Sequence, residues 1–220
     1  MSTAYLFPGQ GSQFVGMGKE LFDSNPEAAK LFTQANKILG IDLKKIMFEG
    51  PQETLKQTEF TQPAIFLHSV ALFKTLDVTP DMVAGHSLGE FSALVACGAV
   101  SFEDALSIVR RRGELMQQAG TENPGTMAAI IGMEDKDVEK VCDEATQQTG
   151  KEVVAANYNC PGQLVISGYK ESVEKAVELA KENGARLAKL LPVSGAFHSS
   201  LMKPAYDGLK QQLEQLDIRE

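Results

Sequence analysis

The chain has 220 residues, 43% of them hydrophobic and 23% charged, and a formal net charge of −8. That is enough chain for one large domain, or for a domain with a smaller companion, and no low-complexity tract interrupts it. The acidic balance argues against a nucleic-acid binder, because phosphate affinity rests on clustered Lys and Arg, and the densest basic cluster is only Arg110-Arg111-Arg112.

The opening MSTAYLFPGQ has no charged leader region, and its apolar run is too short to span a membrane. Residues 4–7 (AYLF), ended by Pro8-Gly9, predict a buried first strand. GQGSQ follows, and helical patterns are predicted around 14–22, over 26–39 and over 63–76, the last with Pro63 near its start. Residues 82–85 (MVAG) predict a second buried strand, and an apolar helix over 88–97 ends at Gly98. Ser101, with Asp104 three residues on, marks the capped start of the next helix.

From Gly125 the rhythm changes. GTMAAIIGM predicts a strand. The helix after it, EDKDVEKVCDEATQQTG, carries Val138, Val141, Cys142 and Ala145 on one face. EVVAANYN and QLVISG are two strands joined through Cys160-Pro161-Gly162. ESVEKAVELAKENG is a further helix, and ARLAKLL closes the set as a strand. The order is β-α-β-β-α-β, a ferredoxin-like plan over residues 125–191. A last helix is expected near 199–217, with Pro204 limiting or kinking it. Three cysteines without CxxC spacing predict neither a disulfide framework nor a zinc site, and favour a reducing, cytoplasmic compartment.

Gly85-His86-Ser87-Leu88-Gly89 is a G-x-S-x-G match between a buried strand and an apolar helix, the context of a nucleophile elbow. Ser87 would stand at the positive end of the following helix, where a developing oxyanion is favoured. A serine nucleophile needs a base, and the chain has three histidines. His68 lies in the apolar run AIFLHSVALF and reads as a core or boundary side chain. His86 directly precedes Ser87 and would point to the opposite side. That leaves His198, in the small-residue loop SGAFHS, as the candidate general base.

Arg112 falls beside the apolar stripe Phe102, Ala105, Leu106, Val109, Gly113, Met116, whereas Arg110 and Arg111 are expected to turn away. A guanidinium there calls for an anionic partner, either an Asp or Glu of the fold or the carboxylate of a substrate. Position alone leaves both open. Gln10, between Gly9 and Gly11, reads as part of a strand-to-helix turn that can present a backbone N–H.

FPGQGSQ (7–13), TQPAIF (61–66), GHSLGE (85–90), RRGELMQ (111–117), NYNCPGQLVISG (157–168) and FHSSLM (197–202) stand in this order along nearly the whole chain. Together they resemble the successive signatures of the malonyl-CoA:acyl carrier protein transacylases. The resemblance implies an α/β fold: an α/β-hydrolase-like large domain with a parallel sheet (1–124 and 192–220), interrupted by the ferredoxin-like small domain (125–191), with the active site in the gorge between them. It implies Ser87 as nucleophile and His198 as base. It also implies an oxyanion hole from the Gln10 and Leu88 amides, a malonyl-carboxylate clamp at Arg112, and a selectivity role for Phe197, whose bulk leaves little room for an α-methyl group. The reaction implied is ping-pong. Ser87 takes malonyl from malonyl-CoA and passes it to the phosphopantetheine thiol of acyl carrier protein, supplying fatty acid synthesis without a metal or a cofactor of its own. A monomer is expected, with malonyl-CoA and acyl carrier protein as partners, and with neither nucleic acid nor membrane.

Members of that family run on for several tens of residues beyond the position of Glu220, so a C-terminally truncated chain is expected. The third partner of His198 would then be missing, because Asp207 has no motif to support it. Two other readings share the same elbow. A serine thioesterase or esterase predicts free acid as product and no need of Arg112. An incomplete fragment that only binds carrier protein predicts no acyl-enzyme. A module of a larger synthase is disfavoured by the start at Met1 directly before the first strand.

Overall fold

The computed structural model describes residues 2–77 and 79–219. By compactness the chain divides into Met1–Leu115 with Gly208–Glu220, and Met116–Asp207. It is a mixed α/β structure with one parallel and one antiparallel sheet.

In the first unit, strand β1 (Ala4–Phe7) is followed by helices α1 (Lys19–Ser24), α2 (Pro26–Leu39), α3 (Leu43–Glu49), α4 (Gln52–Leu55) and α5 (Thr58–Phe73). Strand β2 (Met82–Gly85), helix α6 (Gly89–Ala96) and helix α7 (Phe102–Glu122) come next, α7 continuing into the second unit after Leu115. β1 and β2 pair in parallel, from Ala4 opposite Met82 to Phe7 opposite Gly85. The helix expected around 14–22 is confined to Lys19–Ser24, because Gly16 and Gly18 take left-handed φ of 99° and 79° that break a helical run. Asn25 caps α2 by accepting from the amides of Glu27 and Ala28. The capped start of α7 is present: Ser101 Oγ accepts from the Asp104 amide at 3.0 Å and donates to Asp104 Oδ2 at 2.7 Å.

Helix α5 is buried on almost every side, so it carries the core of this unit. Phe32, Leu43, Met47, Leu55, Phe66 and Leu106 pack in that core with no exposed surface. α5 begins at Thr58, five residues before the position read from sequence, and runs straight through Pro63. Proline lacks the N–H that would bond the carbonyl of Glu59 four residues back. Arg110 supplies the missing donor, with Nη1 2.7 Å from the Glu59 carbonyl oxygen.

In the second unit, strand β3 (Thr126–Ile131), helix α8 (Asp135–Thr149), strands β4 (Val153–Cys160) and β5 (Gln163–Gly168), helix α9 (Lys170–Glu182) and strand β6 (Leu187–Leu190) follow in chain order. They form an antiparallel sheet in the order β4-β5-β3-β6. The apolar stripes of α8 (Val138, Val141, Cys142, Ala145) and α9 (Val173, Ala176, Val177, Ala180) are buried with Ile130, Leu164 and Ile166 of the sheet in one core. Burial among these side chains, with Asp143 and Glu139 nearby, pushes the Cys142 thiol up to about 12. The β4–β5 connection is Pro161-Gly162, with Gly162 at φ 74°. A 3₁₀ turn (Ser200–Met202) leads into helix α10 (Lys203–Leu213), which belongs to the first unit from Gly208 onward. Pro204 causes no kink in α10, because it falls in the first turn, where no N–H is needed. Among the described residues, no helix is long and apolar enough to cross a membrane.

Candidate active site

The carboxyl ends of neighbouring parallel strands are where an open α/β sheet binds its ligands. Here those ends deliver the loop after β1 and the turn after β2, and the backbone ties them together through the His86 amide, 3.0 Å from the Phe7 carbonyl oxygen. The turn is as tight as a backbone allows. A Cβ on Gly85 would stand 1.9 Å from the carbonyl carbon of Gly89, and one on Gly89 would stand 2.2 Å from the Phe7 oxygen. Only glycine fits at either position. Between them Ser87 is held at φ 52°, a left-handed conformation that costs a side-chain-bearing residue about 1–3 kcal/mol. α6 begins two residues later, so its amide end faces the serine's side of the turn. Neither the Gln10 nor the Leu88 amide donates to a protein acceptor among the described residues.

Arg112 comes from the middle of α7 and reaches Ser87, with Nη2 3.0 Å from the serine Oγ. Its Nη1 donates to Oε1 of Gln62 at 2.7 Å, and its guanidinium carbon lies 5.9 Å from the centre of the Phe91 ring. Among the described residues it makes no ion pair with a carboxylate. Desolvation brings its pKa down to about 10, against a smaller opposing pull from the charge of Glu90. The structural ion pair falls instead on Arg110, which binds Glu59 at 2.9 Å and Glu114 at 2.8 Å and lies over the Phe60 ring. Arg110 therefore does not turn away as expected; it is drawn in by Glu59 and by the carbonyl that Pro63 leaves open.

Gln10 sits in the loop after β1, its Nε2 3.4 Å from Thr58 Oγ1, and the loop is braced by Ser12 Oγ donating to the Gly9 carbonyl at 3.0 Å. His68 is half-buried on α5, and burial lowers its pKa, which fits the boundary role read from sequence. His86 is exposed. Gln62 is a site residue that the sequence reading passed over inside TQPAIF; it is fully buried and polar, beside the site's cation.

His198 and Phe197 belong to the second unit. His198 is exposed at φ 63°, and with Ser87 it makes up the positive-φ residues other than glycine among those described. Ala196 and Phe197, directly before it in the chain, are buried. Ser199 anchors the turn: its Oγ donates to the Ala196 carbonyl at 2.7 Å and accepts from the Leu201 amide at 3.3 Å. Asp207 is taken up by Lys203, one turn back on α10. Among the described residues no cluster of three or more His, Cys, Asp or Glu side chains is arranged to hold a metal ion.

A strained serine at a strand-to-helix turn, a helix amide end behind it and a cation at hydrogen-bond distance define an enzyme of acyl transfer or hydrolysis. The acyl transferase domain matches residues 4–220. The malonyl CoA-acyl carrier protein transacylase of Bacillus subtilis (strain 168) is 53% identical over 220 residues, which is 99% of this chain and 69% of that protein. The chain also superposes on the solved transacylase of the same name from Coxiella burnetii, with a TM-score of 0.94 and 44% identity, over 99% of this chain and 70% of that one. A malonyl-transacylase solved in complex with a type II PKS acyl-carrier protein matches with a TM-score of 0.94 and 41% identity, over 100% of this chain and 72% of that one. The chain belongs to the acyl transferase domain family and, within it, to the malonyl CoA-acyl carrier protein transacylases.

Proposed function

We propose that this chain moves a malonyl group from malonyl-CoA to the phosphopantetheine thiol of acyl carrier protein, through an ester on Ser87. The observation that carries the reading is the 3.0 Å contact between Arg112 and Ser87 Oγ, made by a guanidinium that forms no ion pair with a carboxylate among the described residues. An acyl group esterified to Oγ and ending in a carboxylate brings that carboxylate to the cation, and the pair then forms a charge-assisted hydrogen bond. An acyl group without the carboxylate leaves the guanidinium with only the weaker pull of Glu90. Malonyl is therefore favoured over acetyl.

The remaining roles follow from chemistry. His198 takes the Ser87 proton as Oγ attacks the thioester carbonyl, and the Gln10 and Leu88 amides receive the oxyanion. Collapse breaks the C–S bond, and the proton on His198 goes to the CoA thiolate. In the second half-reaction His198 takes the proton of the carrier thiol, the sulfur attacks the ester carbonyl, and Ser87 leaves with that proton. The strained backbone of both Ser87 and His198 supports their assignment, since such strain concentrates at functional residues. Phe197, buried directly before His198, limits the space for a substituent on the malonyl α-carbon. No step calls for a metal or a bound cofactor.

The same reading names the folds. Residues 125–191 form a ferredoxin-like insert, supported by the β-α-β-β-α-β order and the strand order β4-β5-β3-β6. Residues 1–124 and 192–220 form an α/β-hydrolase-like domain, supported by the parallel β1–β2 pair and the elbow that follows it.

The test is a product assay with malonyl-CoA, in the presence and absence of phosphopantetheinylated carrier protein. Malonyl-carrier protein should form, with free CoA released in equal amount. Free malonate at the same rate with and without carrier protein would make the chain a hydrolase.

A further inference from the structure

Gln62 is fully buried on α5, and its side-chain carbonyl holds one corner of the Arg112 guanidinium at 2.7 Å while another corner points at Ser87 Oγ. One turn earlier on the same helix, Glu59 binds Arg110 at 2.9 Å. Two arginines of α7 are thus received by two residues of α5, one through a carboxylate and the other through an amide. The first pair is electrically neutral and belongs to the fold. In the second, no carboxylate among the described residues bonds Arg112, which feels only the weaker pull of Glu90 beside the nucleophile.

The distinction has a physical consequence. A carboxylate at position 62 would bond Arg112 more strongly than an amide does, and the arriving acyl carboxylate would then meet a neutral pair with a like charge behind it. An amide of the same shape supplies direction without neutralisation. We propose that Gln62 is a positioning residue that aims Arg112 at the acyl group on Ser87 through a neutral acceptor, so that selectivity for an acidic acyl group depends on an amide, and not a carboxylate, standing there. This rests on the reading of Arg112 as the carboxylate clamp given above.

The experiment compares the wild type with Gln62→Glu, Gln62→Met and Arg112→Ala. Each is checked for folding by circular dichroism, and acylation of Ser87 by malonyl-CoA and by acetyl-CoA is followed by quenched intact mass. Gln62→Glu preserves shape and hydrogen bond, yet should depress the malonyl rate about 10- to 100-fold more than the acetyl rate, the equivalent of one charged hydrogen bond. Gln62→Met removes the acceptor without adding charge and should lower the malonyl-to-acetyl ratio less, by about 3- to 10-fold, as the guanidinium loses its aim. A purely structural Gln62 predicts that both substrates suffer alike in either variant, and an unchanged ratio in Gln62→Glu overturns the proposal. Should Gln62→Glu fail to fold, an unchanged ratio in Gln62→Met overturns it instead. If Arg112→Ala lowers the ratio and the Gln62 variants do not, the inference about Gln62 falls alone. If Arg112→Ala leaves the ratio unchanged, the clamp reading falls and this proposal with it.

Discussion

Ser87 and His198 both hold a left-handed backbone that most side-chain-bearing residues avoid; histidine adopts it more readily than serine, so the strain is sharper at Ser87. Each stands in a turn: Ser87 between two glycines that admit no Cβ, His198 directly after a buried Phe197 in a turn anchored by Ser199. Replacing His198 with Ala should slow acylation of Ser87 by roughly 10²–10⁴-fold, the usual worth of a positioned base. Rapid-quench measurement of the acyl-enzyme checks this, and an unchanged rate would remove His198 from the mechanism. The strand-to-helix turn around Ser87 was legible because a G-x-S-x-G between strand and helix is a local pattern. The partner of Arg112 was not legible, because an arginine beside an apolar stripe looks the same whether an amide or a carboxylate lies across from it. What decides is a residue fifty positions earlier, on a different helix.

At the scale of elements, α5 is where sequence reading and structure diverge most, and the divergence touches the site. Beginning the helix at Pro63 discards the turn that holds Thr58, Glu59 and Gln62. That turn is helical because tertiary contacts override the proline: Arg110 caps the orphaned Glu59 carbonyl and pairs with its carboxylate. Truncating Arg110→Ala should cost about 2 kcal/mol, because a charge-assisted bond and a half-buried acceptor lose their donor together. Pro63→Ala in that background returns an N–H to Glu59 and should recover part of the loss, read as the urea midpoint. No recovery would mean that the carbonyl is not what Arg110 serves. The elbow makes a second prediction. Gly85→Ala, whose methyl would sit 1.9 Å from backbone, should cost about 3 kcal/mol or prevent folding. A variant of wild-type stability would show that the turn is looser than described. α3 and α4 went unread because they are seven and four residues long, too short for a period to emerge. The strands and helices over 126–190 were legible for the opposite reason, since each carries a full apolar stripe or a turn signal at its end.

At the scale of the whole molecule, each compact unit has a core of its own, one around α5 and one between the antiparallel sheet and helices α8 and α9, while the β1–β2 pair, expected to be buried, leaves Leu6 and Met82 exposed. The chain brings the elbow and Arg112 together within the first unit and carries the histidine loop in the second. The central claim is that Ser87 accepts malonyl. It is tested most directly by intact mass spectrometry of the folded chain after brief exposure to malonyl-CoA, with Ser87→Ala alongside. A single malonyl adduct on the wild type, mapped by peptide digestion to Ser87 and absent from the variant, is the predicted result. A folded wild type that gains no adduct, or an adduct that persists in Ser87→Ala, would contradict it.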